Sequence, residues 1–201
     1  MSQIYQFTPS SKAGNWICKQ KATSKSFLQI GTSKLSLLFV ASLKSEPMSV
    51  VYLYEHMNDL MAIEGQLKRE QKHLQKIIDR EIPNKFTQIK GARTYPIQAS
   101  VYPAILLCRV MELFDSVMGQ IEILISHQVF RNTRLINRKY QYHKQTIQKW
   151  LGKLIGSQYK ESTDLDDKSL PILKKALKAT NLMRHLDQEE LAKHLQPKGE
   201  E

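Results

Sequence analysis

Cysteine is scarce in this chain. The 201 residues include only two, Cys18 and Cys108, which are too few for a disulfide framework or a four-ligand metal site. The composition therefore excludes a disulfide-stabilised secreted domain and predicts a reduced, cytoplasmic protein. Cys108 lies in an apolar stretch, so we expect it to be a small buried side chain.

Long hydrophobic runs are missing too. The longest apolar stretch near the start, residues 35–43, is interrupted by serines, whereas a membrane-spanning helix needs about 20 apolar residues. This stretch also begins too far along the chain to be the core of a signal peptide. We therefore expect neither secretion nor a membrane partner.

Motifs of catalysis and cofactor binding are absent. The sequence has no glycine-rich dinucleotide fingerprint, no phosphate-binding loop and no serine or cysteine nucleophile signature. No two of its six histidines stand at metal-ligand spacing on one helix. We therefore expect a protein that is not an enzyme and has no cofactor, no metal and no small-molecule ligand.

Glu112 and Asp115 are the one pair of carboxyl groups that invites a catalytic interpretation, because they are neighbours on a predicted helix. The favoured interpretation is a buried salt bridge to Arg109 or to the basic helix that follows, since structural ion pairs produce the same setting.

Acidic residues are missing from two long segments, although the chain has 19 acids, 30 lysines and arginines and a net charge of +11. Residues 1–45 contain six lysines and no acid, and residues 123–160 contain eight bases and no acid. Charge of one sign attracts a polyanion, and nucleic acid is the usual one because neutralised phosphates release counterions. An acidic protein, a lipid surface or a merely solvated face remain alternatives.

The first half of the chain predicts an arm followed by helices. Residues 1–25 are polar and lysine-rich, which indicates a flexible basic arm. Residues 27–30 predict an extended segment, and residues 34–43 a short apolar helix. After a boundary at Glu46 and Pro47, apolar residues at three- and four-residue spacing predict a long helix over residues 54–80.

A single strand is predicted after a polar linker over residues 82–91. Residues 93–99 alternate in character, so Tyr95, Ile97 and Ala99 should face the core while Thr94 and Gln98 face outward. Pro96 is acceptable only at the edge of a sheet.

The helix predicted over residues 100–126, with Ser100 as its N-cap and Pro103 in its first turn, is apolar on nearly every side. Such a helix must be buried by other elements or by a second subunit, and this predicts a homodimer.

A basic helix follows, from Asn132 or Thr133 to a C-cap at Gly156. Its predicted apolar side consists of Leu135, Ile136, Ile147, Trp150, Leu151 and Leu154. Tyr140, Tyr142 and Trp150 are candidates for base stacking, although Trp150 fits a core position better. Short helices are predicted over residues 170–182 and 188–195.

The fold class is therefore predicted to be mainly α with a short β-ribbon, in a ribbon-helix-helix-like dimer core with additional helices. We divide the chain into the flexible arm (residues 1–25), a DNA-binding and dimerisation domain (residues 26–160) and short C-terminal helices with a tail (residues 161–201).

Four features of residues 26–160 occur together in a known family. The first two are the stretch from Phe27 to Thr32 with the apolar segment after it, and the long charged helix before Pro83. The others are Tyr95-Pro96-Ile97 leading into the apolar helix with Leu113-Phe114-Asp115, and the basic helix that follows. Through these features the chain resembles the AcaB-like transcriptional regulators of conjugative plasmids and integrative conjugative elements.

The resemblance implies a homodimeric ribbon-helix-helix protein, cytoplasmic and nucleoid-associated, that binds promoter DNA and activates conjugative-transfer genes. Thr94 and Gln98 would read bases in the major groove, and the start of the basic helix would hold a phosphate. The expected DNA-binding residues are Lys90, Arg93, Thr94, Gln98, Arg131, Asn132, Thr133, Arg134, Arg138 and Lys139. Residues 27–32 remain an alternative reader, and a helical accessory protein that binds an acidic protein remains an alternative function.

Overall fold

A computed structural model of the chain describes residues 4–19, 25–44, 47–82, 93–130, 133–156, 173–179 and 181. In chain order the elements are β1 (Ile4–Phe7), α1 (Lys12–Cys18), α2 (Phe27–Leu43), α3 (Pro47–Glu81), β2 (Tyr95–Gln98), α4 (Tyr102–Ser126) and α5 (Thr133–Gly156). Residues 173–179 are also helical. The prediction of a mainly helical chain with a short β-ribbon is confirmed.

The ribbon is made by β1 and β2, which pair antiparallel with Ile4 opposite Gln98 and Phe7 opposite Tyr95. The predicted strand is confirmed over Tyr95–Gln98, and its alternation is as expected: Ile97 is buried, while Gln98 is exposed. A ribbon-helix-helix dimer would build its ribbon from this strand of each subunit, but here β2 has its partner, β1, within its own chain.

The predicted flexible arm is wrong for residues 4–18, which form β1 and α1. Phe7 and Ile17 from this segment are buried in the core. The Ser11 side chain caps α1 by accepting a hydrogen bond from the Gly14 amide. The lysine-rich composition of the whole segment concealed this short amphipathic stretch.

The extended segment predicted over residues 27–30 is also wrong, because these residues form the first turn of α2. Ser26 and Gln29 make a reciprocal capping box, in which each side chain accepts a hydrogen bond from the other residue's backbone amide. The cap satisfies two amides that have no partner within the helix, so it outweighs the β-preference of the apolar residues.

Helix boundaries follow the proline signals closely. The helix predicted over residues 54–80 is longer than expected, because α3 already begins at Pro47, where a proline without an amide hydrogen is harmless. Pro103 lies in the first turn of α4 as predicted, but the N-cap is Val101 rather than Ser100. The linker over residues 82–91 lies outside the described residues except at Ile82.

The core is built around α4, which packs against α1, α2, α3 and α5. Ile105, Leu106, Leu107 and Cys108 are all buried, and four consecutive residues point to different sides of a helix. The apolar character of α4 is thus accounted for within one chain. Homodimer formation remains a prediction, but it loses the observation that motivated it.

The amphipathic character predicted for the basic helix is confirmed in α5. Ile136, Ile147, Trp150 and Leu154 are buried, whereas Leu135, assigned to the same side, is 63% exposed. Trp150 is therefore a core residue. The helix predicted over residues 170–182 is matched at residues 173–179, and the one predicted over residues 188–195 lies outside the described residues.

Candidate nucleic-acid interface

One side of α5 forms a polar surface that we call the outer face. It consists of Arg134, Arg138, Gln141, Gln145 and Lys149, all of which are exposed. Spacings of three and four residues place these side chains on one line along the helix. The buried residues of α5 lie on the opposite side, so the whole outer face is turned away from the core.

The cations of α5 divide into two groups by direction. Lys139 Nζ lies 2.6 Å from Glu70 Oε1 and Lys153 Nζ lies 3.0 Å from Asp59 Oδ2, so both are paired with carboxylates of α3. Lys144 Nζ stands 5.9 Å from the centre of the Trp16 ring of α1. These three side chains flank the outer face and tie α5 to the rest of the molecule.

Arg138 and Lys149 differ from this first group. Both belong to the outer face, and neither has an ion pair with any residue that the structure describes. Since α5 contains no acidic residue, the outer face presents positive charge without a neutralising neighbour on its own helix. This is the electrostatic character that a polyanion requires.

The predicted DNA contacts in this region have different outcomes. Thr133, Arg134 and Arg138 are exposed and adjoin one another at the start of α5. Lys139, in contrast, already has its charge neutralised by Glu70, so we no longer include it in the interface. Arg131 and Asn132 lie outside the described residues.

A shallow depression of about 690 Å³ lies along the outer face and is lined by residues of α5. Asn137 and Tyr142 line it in addition to Arg134, Arg138, Gln141 and Gln145. The Tyr142 ring is 55% exposed, so of the three aromatic residues considered for base stacking it is the accessible one. Tyr140 is half-buried and donates a hydrogen bond to Glu122 Oε1 at 3.2 Å.

The second candidate surface is the outward side of the ribbon, which we call the ribbon face: Ile4, Gln6, Pro96 and Gln98. All four are exposed, and none carries a charge. Beside it, Thr94 Oγ1 is hydrogen-bonded to Thr8 Oγ1 at 2.9 Å.

Two described cations lie beside the ribbon face. Lys25 lines a depression together with Ile4, Pro96 and Gln98, and the Arg93 guanidinium lies 5.2 Å from the centre of the Tyr95 ring. Lys90, predicted to contact DNA from the entry to this strand, lies outside the described residues. The ribbon face itself therefore offers polar groups without charge, and its cations stand at the border.

Asp115 has a role that the sequence did not reveal. Its carboxylate accepts hydrogen bonds from the backbone amides and the hydroxyls of Ser10 and Ser11, at 2.6–2.9 Å. A Cβ atom at Gly14 would overlap Asp115 Oδ1, so glycine is required at that position. We call this arrangement the Asp115 latch; it attaches the N-terminal segment to α4.

The salt-bridge interpretation is therefore wrong for Asp115, whose carboxylate binds the two serines. Glu112 is a hydrogen-bond partner of Tyr5, and burial, reinforced by this carboxylate, raises the pKa of the tyrosine. The two carboxyl groups therefore fix the N-terminal segment in place.

His56 of α3 contacts the buried side of α5 at Trp150. Its backbone oxygen accepts a hydrogen bond from Trp150 Nε1 at 3.3 Å, and the two rings meet edge to face. Burial, together with the nearby Lys153, lowers the pKa of His56 to about 4. The imidazole is therefore neutral at physiological pH, and its Nδ1 has no partner among the described residues.

Both cysteines are free thiols inside the fold. As expected, Cys108 is buried, and burial raises the pKa of both Cys18 and Cys108 to about 12. Within the described residues, no three histidine, cysteine or acidic side chains could share a metal ion. No helix among those residues is long and apolar enough to cross a membrane.

Comparison with known proteins gives one structural relationship. No protein-family model matches the chain, and no curated protein matches it either. Among solved structures, the crystal structure of selenomethionine-containing AcaB from uropathogenic E. coli is similar, with a TM-score of 0.54 and 11% sequence identity. The similarity covers 94% of this chain and 87% of that one, and it extends to the fold alone.

Proposed function

We propose that this protein is a non-enzymatic transcriptional regulator that binds double-stranded DNA through the outer face of α5. The observation that carries the proposal is the acid-free helix whose exposed Arg138 and Lys149 have no neutralising partner among the described residues. Neutralised phosphates release counterions, and this drives the association of such a surface with DNA.

The regulatory part of the proposal rests on likeness. The fold is shared with AcaB over most of both chains, and the sequence resembles regulators of conjugative-transfer genes over residues 26–160. We therefore propose promoter DNA of transfer genes as the target, with activation as the outcome and the nucleoid as the site of action.

Salt dependence of binding tests the proposal. Fluorescence anisotropy with the full chain and a random-sequence 20-base-pair duplex should show an affinity that falls steeply as salt rises. Lys149→Ala should reduce the slope of log K against log salt by about 0.9, the value expected for one lost phosphate contact. Lys139→Ala is the matched control: it removes a lysine of the same helix whose charge Glu70 already neutralises, so the slope should hardly change.

Failure of the wild-type chain to bind any duplex would reject this function. The outer face would then favour the second candidate, an accessory protein that binds an acidic protein, because the same unneutralised cations fit that partner.

Homodimer formation belongs to the proposal as well, and sedimentation at micromolar concentration tests it. A folded monomer of about 23 kDa, the mass of one chain, would contradict it.

A further inference from the structure

The chemistry of the outer face goes beyond simple attraction to phosphates. A face that serves only solubility is usually a mixture of both charge signs, whereas this one combines two arginines, two glutamines and a lysine and lacks acids. Arginine pairs bidentately with guanine and glutamine with adenine at the edges exposed in the major groove. Asn137, on the flank of the face, belongs to the same class of base-reading side chains.

The dimensions of the face also fit a groove. From Arg134 to Gln145 the helix advances about 16 Å, at about 1.5 Å per residue. This distance corresponds to about five base-pair steps of 3.4 Å. An α-helix with its side chains is about 10–12 Å across, and the major groove is about 12 Å wide.

Contacts with α3 and α1 hold α5 in a fixed orientation, as the recognition of bases requires. Lys139, Lys144 and Lys153 flank the outer face and bind α3 and α1, and Trp150 is hydrogen-bonded to the backbone of α3. Base readout depends on side chains held in a fixed register by the rest of the protein. The buried side of α5 therefore orients the exposed side.

Gly152 supports a close approach at the far end of the same line. It is exposed, and a Cβ atom there would meet no other atom within 4 Å, so nothing in the described fold requires glycine. Glycine within a helix is unfavourable relative to alanine, and close approach of another molecule's backbone is one use that offsets this cost.

The ribbon face is the rival reader, and it is less suited to the task. Its four residues are uncharged, and Pro96 and Ile4 occupy half of it. Thr94, at its border, is hydrogen-bonded to Thr8. Phosphate contacts supply a large share of the affinity for DNA. The ribbon face has cations only at its border, Lys25 and Arg93, whereas the outer face of α5 includes Arg138 and Lys149 in the line of reading residues.

From these observations we infer that the outer face of α5 lies in the major groove of double-stranded DNA and reads base edges. Gln141 and Gln145 read bases, Arg138 reads a guanine, and Lys149 contacts the phosphate backbone. The ribbon face does not read sequence. This inference rests on the proposed DNA binding and assigns the specificity of that site.

Selection from a random duplex library with the full-length protein provides the test. We expect one preferred motif, and we expect Gln141→Ala and Gln145→Ala each to reduce the preference over random duplex by about 5- to 150-fold. Binding to random duplex should change little, because neither side chain is charged. Thermal melting checks that each variant is folded.

Arg138→Lys separates reading from attraction. Lysine keeps the charge but lacks the planar guanidinium that pairs bidentately. We therefore expect the preference to fall at one base position, while the salt slope stays at the wild-type value. Gln98→Ala and Thr94→Ala serve as ribbon controls and should leave the preference unchanged.

The outcomes distinguish this inference from the function beneath it. Absence of all duplex binding rejects both. Duplex binding without any sequence preference, or a preference that survives Gln141→Ala and Gln145→Ala, overturns the inference and leaves DNA binding in place. A preference lost in Gln98→Ala moves the reader to the ribbon, and binding restricted to single strands or RNA rejects the major-groove assignment.

Discussion

The ribbon face and the outer face of α5 are both polar and exposed, but they are produced in different ways. The ribbon combines two strands that are about 90 residues apart in the chain, and the Asp115 latch holds its N-terminal strand close to the core. The outer face of α5 is one side of a continuous helix. A surface of the first kind depends on tertiary contacts, whereas one of the second kind is already ordered by helical periodicity.

Charge separates the two surfaces further. The ribbon face is neutral, while the outer face of α5 has cations without acidic neighbours on its helix. A polar exposed surface is therefore not sufficient to identify a nucleic-acid interface. A cation that points to solvent can bind a phosphate, whereas one that is paired with a carboxylate is already neutralised.

The largest expected loss of stability comes from a substitution that detaches the N-terminal strand of the ribbon from α4. Asp115→Ala removes the acceptor of four hydrogen bonds and leaves amides of the N-terminal segment without a partner. Since a lost bond to a charged group costs about 1.5–3 kcal/mol, the free energy of unfolding should fall by about 3 kcal/mol or more. Urea denaturation measures this value.

Glu112→Ala is the comparison for the latch. This exposed carboxylate of the same helix also holds the N-terminal segment, but through a hydrogen bond to Tyr5 alone, so we expect a smaller loss. A decrease below about 1 kcal/mol for Asp115→Ala would show that the latch does not stabilise the fold.

Acid should destabilise the fold at His56, which packs against Trp150 of α5. The pKa of His56 is about 4 in the folded chain and about 6.5 in an unfolded one, so the unfolded chain binds more protons between these values. The free energy of unfolding should therefore fall as the pH drops from 6.5 to 4, by up to about 3 kcal/mol from this group.

His56→Leu replaces the titrating ring with an apolar side chain of similar size, and it should flatten this pH dependence. His143, whose pKa is also lowered by burial, contributes with the same sign, so part of the slope should remain. An unchanged slope in the variant would exclude His56 as the source.

The smallest effects on the free energy of unfolding are expected from glycine-to-alanine substitutions, one beside the Asp115 latch and one in α5. Gly14→Ala forces a Cβ atom into Asp115 and should destabilise the fold by about 2 kcal/mol, within the range for overpacking. Gly152→Ala adds a methyl group where nothing lies within 4 Å, so it should stabilise the helix by about 0.5–1 kcal/mol. Thermal unfolding of both variants measures the difference, and equal shifts of the same sign would contradict it.

The candidate site shows where sequence reasoning succeeds and where it stops. The acid-free run and the amphipathic pattern identified α5 and nearly all of its buried residues, because both signals lie within one helix. They did not distinguish Arg138 from its neighbour Lys139, since Glu70, the residue that separates them, is far away in the chain.

The sequence by itself determined most of α3, the helices α4 and α5, the alternation of β2 and the two sides of α5, because helical and strand periodicities depend on neighbouring residues. Tertiary structure decided that β1 is the partner of β2, that Asp115 binds Ser10 and Ser11, and that α4 is covered within its own chain. The segments involved are about 90–105 residues apart. Contacts across such distances leave no periodic pattern in the sequence, and only the packed chain brings their partners together.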